Sequence, residues 1–214
     1  MTAAVVGRAM RAGPASPQLA ELLDAGRLWR GGTQAHVRAE PTGFAMLDAR
    51  LPGGGWPVGA LSEIVHERVG VGEFGLVAPM LARLTQAGRW IAFVAPPLTS
   101  YAPALAQAGI EPSRVLVVDP PERAQCAWAA EQLLRAGAGA VLAWSKAADL
   151  QTLRRLQLAA EAADTIALLY RSNTGHGFSP TALRLRVWRE QGAPRVEILK
   201  CRGSHSATPI PLAQ

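Results

Sequence analysis

The sequence predicts an α/β protein: a mostly parallel sheet flanked by helices, with antiparallel strands at its C-terminal edge. Three observations carry that prediction. From about Ala60, five short apolar runs alternate with amphipathic stretches of helical spacing. The runs are apolar at nearly every position, as strands are when a parallel sheet is covered on both faces. After Tyr170 the rhythm changes to two segments joined by a short turn, the pattern of an antiparallel pair.

The elements follow in order. Residues 1–15 are rich in Ala, Gly and Pro and read as a loose tail. "SPQLAELLDAGRLWRGG" then supplies a Ser cap, Pro in the first turn, helical spacing and a Gly stop, so residues 1–40 are a tail carrying one short helix. The core is expected over 41–203. "PGGGWP" (Pro52 to Pro57) has consecutive glycines that expose N–H groups, but its flanking prolines and lack of a helix start make it a turn, with Trp56 packed against the sheet edge. The strands are "ALSEIV", "WIAFVA", "VLVVD", "AVLAWS" and "TIALLYR", and the helices lie near 73–87, 101–108, 121–136 and 149–163. In the last helix the spacing places Leu150, Leu153, Leu156 and Leu158 inward and Arg154 and Arg155 outward. Two strands, "ALRLRVWRE" and "RVEILKCRG", close the core, and residues 204–214 are expected to be a flexible tail.

Composition narrows the function classes. The chain has 214 residues, enough for one well-buried core. Apolar residues make up 49% and charged residues 18%, below the roughly 25% charge usual in soluble domains, so much of the surface is small or engaged by partners. Lys plus Arg number 22 against 16 acids, a net charge of +6, which suits a polyanion or an acidic protein partner. Cys126 and Cys201 stand far apart, and His36, His66, His176 and His205 are scattered. That spacing offers neither a disulfide framework nor a metal site. The N-terminus has arginines where a signal peptide needs its apolar region, and no run approaches the ~18 apolar residues of a membrane span. A cytoplasmic protein without membrane contact is expected. Trp29, Trp56, Trp90, Trp128, Trp144 and Trp188 lack the spacing of a stacking platform for single-stranded nucleic acid; most are expected in the core.

The stretch "LSEIVHERVGVGEFGLV" (Leu61 to Val77) has the plan of a nucleotide-binding turn, strand then glycines then helix. A loop of the form GxxxxGK[ST] wraps phosphates in backbone N–H groups, meets them with a Lys and holds Mg²⁺ through a hydroxyl. Here the register from Gly70 to Gly75 puts Leu76 and Val77 at the Lys and hydroxyl positions, and the register from Glu67 puts Glu73 and Phe74 there. Neither provides a cation or a metal ligand. The loop of Gly70, Gly72, Glu73 and Gly75 is therefore read as a degenerate, structural turn, with no catalytic residue, no cofactor and no metal. Ser62, Ser100 and Ser145 lack the surroundings of a nucleophile elbow.

The chain resembles the RecA-like core on "TGFAMLDARLPGGGWPVGALSEIV" (Thr42 to Val65), "GRWIAFVAPP" and "GAVLAWS", and it is most similar to the ImuA family of translesion DNA synthesis-associated proteins. The resemblance runs from "LLDAGRLWRGG" to about "LKCRG". The C-terminal half also resembles SulA, the SOS-induced inhibitor of bacterial cell division, but SulA has no counterpart of the Thr42 to Leu61 segment. The resemblance implies a RecA-like sheet and permits a second test of ATPase chemistry. An active relative carries a water-orienting carboxylate after its second strand, where this chain has Ala95-Pro96-Pro97, and a metal-holding carboxylate where it has Trp144. Asp119 and Asp149 are read as helix caps or loop residues. The ImuA resemblance implies a noncatalytic, SOS-induced accessory protein of mutagenic repair. Its implied partners are an ImuB-like inactive polymerase-type protein, an error-prone polymerase alpha subunit, RecA or its filament, and DNA indirectly. The alternatives are a SulA-like inhibitor of the tubulin-like division protein and a residual RecA-like ATPase.

The C-terminal strands carry the remaining candidate contacts. Alternation in "ALRLRVWRE" puts Leu183, Leu185 and Val187 on one face and Arg184, Arg186 and Trp188 on the other. The next strand adds Arg195, Lys200 and Arg202. This basic face at the sheet's far edge is expected either to be solvated or to meet a partner or DNA, with an acidic protein segment favoured over phosphates.

Overall fold

The computed structural model describes residues 37–145, 148–172, 179–201 and 208–212. The expected N-terminal helix lies outside the described residues. Strand β1 (Ala39–Glu40) pairs antiparallel with β2 (Trp56–Pro57). Between them, the Asp48 carboxylate of the short helix α1 (Ala45–Asp48) accepts from Thr42 N–H at 2.8 Å, fixing the approach to the core.

The main sheet follows. β3 (Ala60–His66) leads through a long turn to α2 (Ala78–Gln86) and β4 (Ile91–Val94). Then come α3 (Ala102–Gln107), β5 (Val115–Val118), α4 (Cys126–Arg135) and β6 (Ala140–Trp144). α5 (Leu150–Ala162), β7 (Ile166–Ser172), β8 (Leu183–Glu190), β9 (Ala193–Cys201) and β10 (Ile210–Pro211) complete the chain. The eight strands lie in the order β10-β9-β8-β3-β7-β6-β4-β5. From β8 to β5 every neighbouring pair is parallel, whereas β8-β9 and β9-β10 are antiparallel. The expected α/β sheet with an antiparallel C-terminal edge is what forms. Gln191 and Gly192, both at positive φ (51° and 82°), join β8 to β9 in a two-residue turn whose twist suits an antiparallel pair.

Successive side chains on each strand enter opposite layers. Ile64, Phe93, Leu142 and Leu168 pack with Leu47, Trp56, Leu81 and their neighbours on one face. Ala92, Val141, Ala143 and Ala167 pack with Ala129, Ala130, Leu153, Leu156 and Ala160 of α4 and α5 on the other. Alanine against alanine lets those two helices lie close to the sheet. That explains a departure in α5: Leu153 and Leu156 are buried as expected, but Leu150 and Leu158 are 53% and 63% exposed. At about 100° per residue, Leu158 lies roughly 140° round the helix from Leu153, and Ala159 and Ala160 fill the seam in its place. Arg155 also departs from its expected solvated role, because its guanidinium pairs with the buried carboxylate of Glu131 on α4, which Arg135 engages at 3.0 Å. Burial works against that charge, but the two guanidiniums outweigh it and hold Glu131 below the usual carboxylate range.

Two further differences concern the margins. The segment expected to be a flexible tail over 204–214 contributes Ile210 and Pro211, which pair with Val196 and Arg195, and Ile210 is fully buried. At the opposite margin β5 is an edge strand, with Leu116 and Val117 nearly half exposed. No helix among the described residues is long and apolar enough to cross a membrane.

Candidate functional site

In an open α/β sheet, ligands bind beyond the carboxyl ends of the parallel strands. That end is formed here by His66 of β3, Phe93 of β4, Trp144 of β6 and Tyr170 of β7, with the β3–α2 turn above them. The turn is the degenerate nucleotide loop. Gly70 and Gly72 sit at φ +88° and +108°, left-handed conformations that glycine adopts without strain, and the amides of both point to one side chain. The Glu73 carboxylate occupies the concavity, one oxygen accepting from Gly70 N–H at 2.8 Å and the other from Gly72 N–H at 3.1 Å. Glu73 is 5% exposed. The start of α2 is closed by backbone bonds as well: Leu76 N–H donates to the Gly72 carbonyl, and Val77 and Ala78 N–H to that of Phe74, each at 3.0 Å. Leu76 and Val77, at the positions a nucleotide loop gives to Lys and a hydroxyl, are fully buried in the core. Gly75 completes the turn with its α-hydrogen facing the Gly72 carbonyl.

Aromatic rings fill the space below. Phe74 meets Phe93 edge-on at 6.0 Å, Phe93 meets Trp144 edge-on at 6.0 Å, and Trp144 stacks on Tyr170 at 4.6 Å with their planes 7° apart. Such contacts add to the stabilisation from buried area. Trp144 is thus a packing element where an active relative carries a carboxylate. The Tyr170 hydroxyl donates to the Glu73 carbonyl at 3.3 Å and ties the cluster to the turn. Burial, with the Glu73 charge second, pushes the Tyr170 phenol well above its usual range. Ala95, where the water-orienting carboxylate would stand, is buried at φ +53° and its N–H donates to Val118 at 2.8 Å. Asp149 caps α5, accepting from Thr152 N–H at 2.8 Å, a bond that lowers its pKa. Asp119 is exposed in a loop. Among the described residues, no group of three or more His, Cys, Asp or Glu is placed to hold a metal ion, and Cys126 and Cys201 are buried.

The β8–β9 face separates residues that alternation had grouped. Arg184 is 6% exposed, and its guanidinium faces Glu63 of β3 at 3.4 Å. Arg186 pairs with Glu67 at 2.8 Å and lies 5.5 Å from the Trp188 ring centre. Arg195, opposite Trp188, pairs with Glu190 at 3.2 Å. Lys200, opposite Arg184, donates to the Ser179 carbonyl. Arg202 lies outside the described residues. The sequence reading missed Glu63, which is fully buried, accepts from the Ser179 hydroxyl, and faces Arg171 at 3.5 Å as well as Arg184. Its signal was a single acid inside the apolar run "ALSEIV", because a charge on a doubly covered strand requires partners. The two regions touch: a Cβ on Gly72 would lie 2.8 Å from the Pro194 Cβ near the hairpin tip. At the other end of the sheet, a surface cavity of about 400 Å³ is lined by Trp90, Leu116, Leu133 and Gly137 among others.

No family model matches the chain. No curated protein matches it either. Among solved structures, the chain is similar to the crystal structure of SulA from Pseudomonas aeruginosa, at 25% identity over 53% of this chain and 98% of that one, with a TM-score of 0.46.

Proposed function

We propose that the chain is a noncatalytic accessory protein of SOS-induced translesion DNA synthesis, acting in the cytoplasm beside an inactive polymerase-like partner and an error-prone polymerase alpha subunit. The observation that carries the noncatalytic part is the content of the crevice. The residues at the Lys, hydroxyl and metal-carboxylate positions, Leu76, Val77 and Trp144, are engaged in packing, and Leu76 and Val77 are wholly buried. Phosphoryl transfer relies on charge neutralisation and positioning, and those side chains supply neither. The accessory role rests on the resemblance of Thr42 to Val65 to the ImuA family. A scaffold of this kind acts through its outer surfaces.

The test is recovery of tagged protein from DNA-damaged cells, with bound proteins identified by mass spectrometry, alongside ATP turnover by the purified chain. The polymerase-like protein and the alpha subunit are expected among the bound proteins, with turnover at background. Recovery of the tubulin-like division protein in their place points to the inhibitor, and turnover above background that is lost in Gly75→Val overturns the noncatalytic reading.

A further inference from the structure

The helical layer formed by α4 and α5 leaves large apolar side chains open on its outer side. Trp128 of α4 and Leu150 and Leu158 of α5 are 60%, 53% and 63% exposed. Leu150, Arg154 and Leu158 recur every four residues and all three are exposed, so they form one ridge along α5. Trp128 stands one turn before Glu131, whose carboxylate pairs with Arg155 and joins the two helices, and Leu158 stands one turn after Arg155. The two side chains border the seam between the helices from its two sides. Single exposed apolar residues are ordinary, whereas several around one seam mark a surface that another element covers. We infer that this face is a docking surface for a segment of the same chain, Ser16 to Trp29, which lies outside the described residues.

The path of the chain selects that occupant. Arg38 is tied to the end of α5, its guanidinium meeting Asp164, two residues beyond the helix, at 2.9 Å. Its carbonyl accepts from Val58 N–H at 2.8 Å, and a Cβ on the adjoining Gly59 would lie 3.7 Å from the Glu161 Cα. The chain therefore enters the core against the last turn of α5. Residues 31–37 connect Arg30 to this point and extend to at most about 25 Å, whereas the 13 residues of α5 span about 20 Å. The whole ridge is within reach. Leu19, Leu22, Leu23 and Trp29 recur in the sequence at the spacing of one helical face, which gives the segment an apolar side to set against the ridge. Arg154, between the two leucines, keeps its guanidinium in water while its stem lies along the contact. A segment tethered this closely acts at an effective concentration on the order of millimolar, ahead of any outside partner. The inference rests on this chain's own residues and holds whether the protein serves translesion synthesis or another process.

Trypsin cleavage of the native full-length chain tests it, with the sites after Arg8 and Arg11 as an internal reference for those after Arg27 and Arg30. Cleavage after Arg27 and Arg30 is expected to be slower by about tenfold or more, because it follows the population of the undocked form. Leu150→Asp with Leu158→Asp is expected to bring the two pairs of sites to equal rates. Both positions are more than half exposed, so the core should melt as in the wild type. Leu22→Asp with Leu23→Asp leaves α5 untouched and is expected to release the same sites, which keeps the test decisive if the α5 variant does not fold. Equal rates at all four sites in the wild type overturn the inference, as does protection that survives either pair of changes. Protection that weakens on dilution, with a dimer in size-exclusion chromatography, makes the occupant a second copy and overturns it too. Failure of the partner recovery described above leaves this cleavage pattern unchanged, so the two proposals fail separately.

Discussion

The interior around β3 and the outer part of the β8–β9 hairpin both set carboxylates against donors, but in different media. Glu73 and Glu63 are 5% and 0% exposed, and their donors are backbone amides in one case and hydroxyl and guanidinium groups in the other. Glu67 and Glu190, which pair with Arg186 and Arg195, have side chains 57% and 55% exposed. Water competes for the second pair of carboxylates and not for the first. Removing one partner of a buried pair strands a charge in low dielectric, whereas an exposed pair contributes about 0–1 kcal/mol and exchanges readily with other partners. The number of arginines on a strand is therefore a poor measure of how many can meet a partner.

The largest expected effect lies in the crevice. Tyr170→Ala removes a ring that is 1% exposed and stacked on Trp144, and should cost about 3–5 kcal/mol, as large-to-small changes of core aromatics do. Urea unfolding measures it, and a loss under about 1 kcal/mol would mean that the rings are not acting as core.

Next comes a contrast within one strand face. Arg184→Ala should cost roughly 3 kcal/mol, because it leaves Glu63 buried with one cation fewer. Arg186→Ala, whose ion pair has side chains 43% and 57% exposed, should stay within about 0.5 kcal/mol of the wild type. Equal losses in the two variants break the comparison drawn above.

The smallest effect sharpens it by pH. Tyr170→Phe removes the 3.3 Å bond to the Glu73 carbonyl and should cost about 1 kcal/mol or less near neutrality. The folded phenol titrates well above the ordinary value of 10.0, so above that value the unfolded chain releases a proton that the native state still holds. The stability this contributes is complete below pH 10 and falls as pH rises past it. In Tyr170→Phe that alkaline decline should be shallower, as read from melting temperatures across the range.

Much of the fold was legible, because periodicity reports burial on both faces of a strand. "WIAFVA", "VLVVD" and "AVLAWS" each contain the strand that forms, and Asp149 caps its helix as its position suggested. Positions where two elements decide jointly were not legible. Alternation put Arg184 and Arg186 on one face, which is true of β8, but only the neighbouring Glu63 on β3 makes one of them buried. Leu150 and Leu158 looked like core because nothing in α5 itself reveals that the opposing sheet face is lined with alanine. At the degenerate loop, the missing Lys and hydroxyl could be read from the letters, whereas the filling of the turn by Glu73 required the backbone conformation of Gly70 and Gly72.

The close approach of Gly72 to Pro194 bears on how such a scaffold can be altered. A loop transplanted from an active relative has to follow the same path past the hairpin tip, where a methyl at position 72 already collides with the proline ring. Loop and hairpin, separated by more than a hundred residues of chain, form one unit of exchange, and a graft that carries the first without the second inherits a steric conflict before any chemistry is tested.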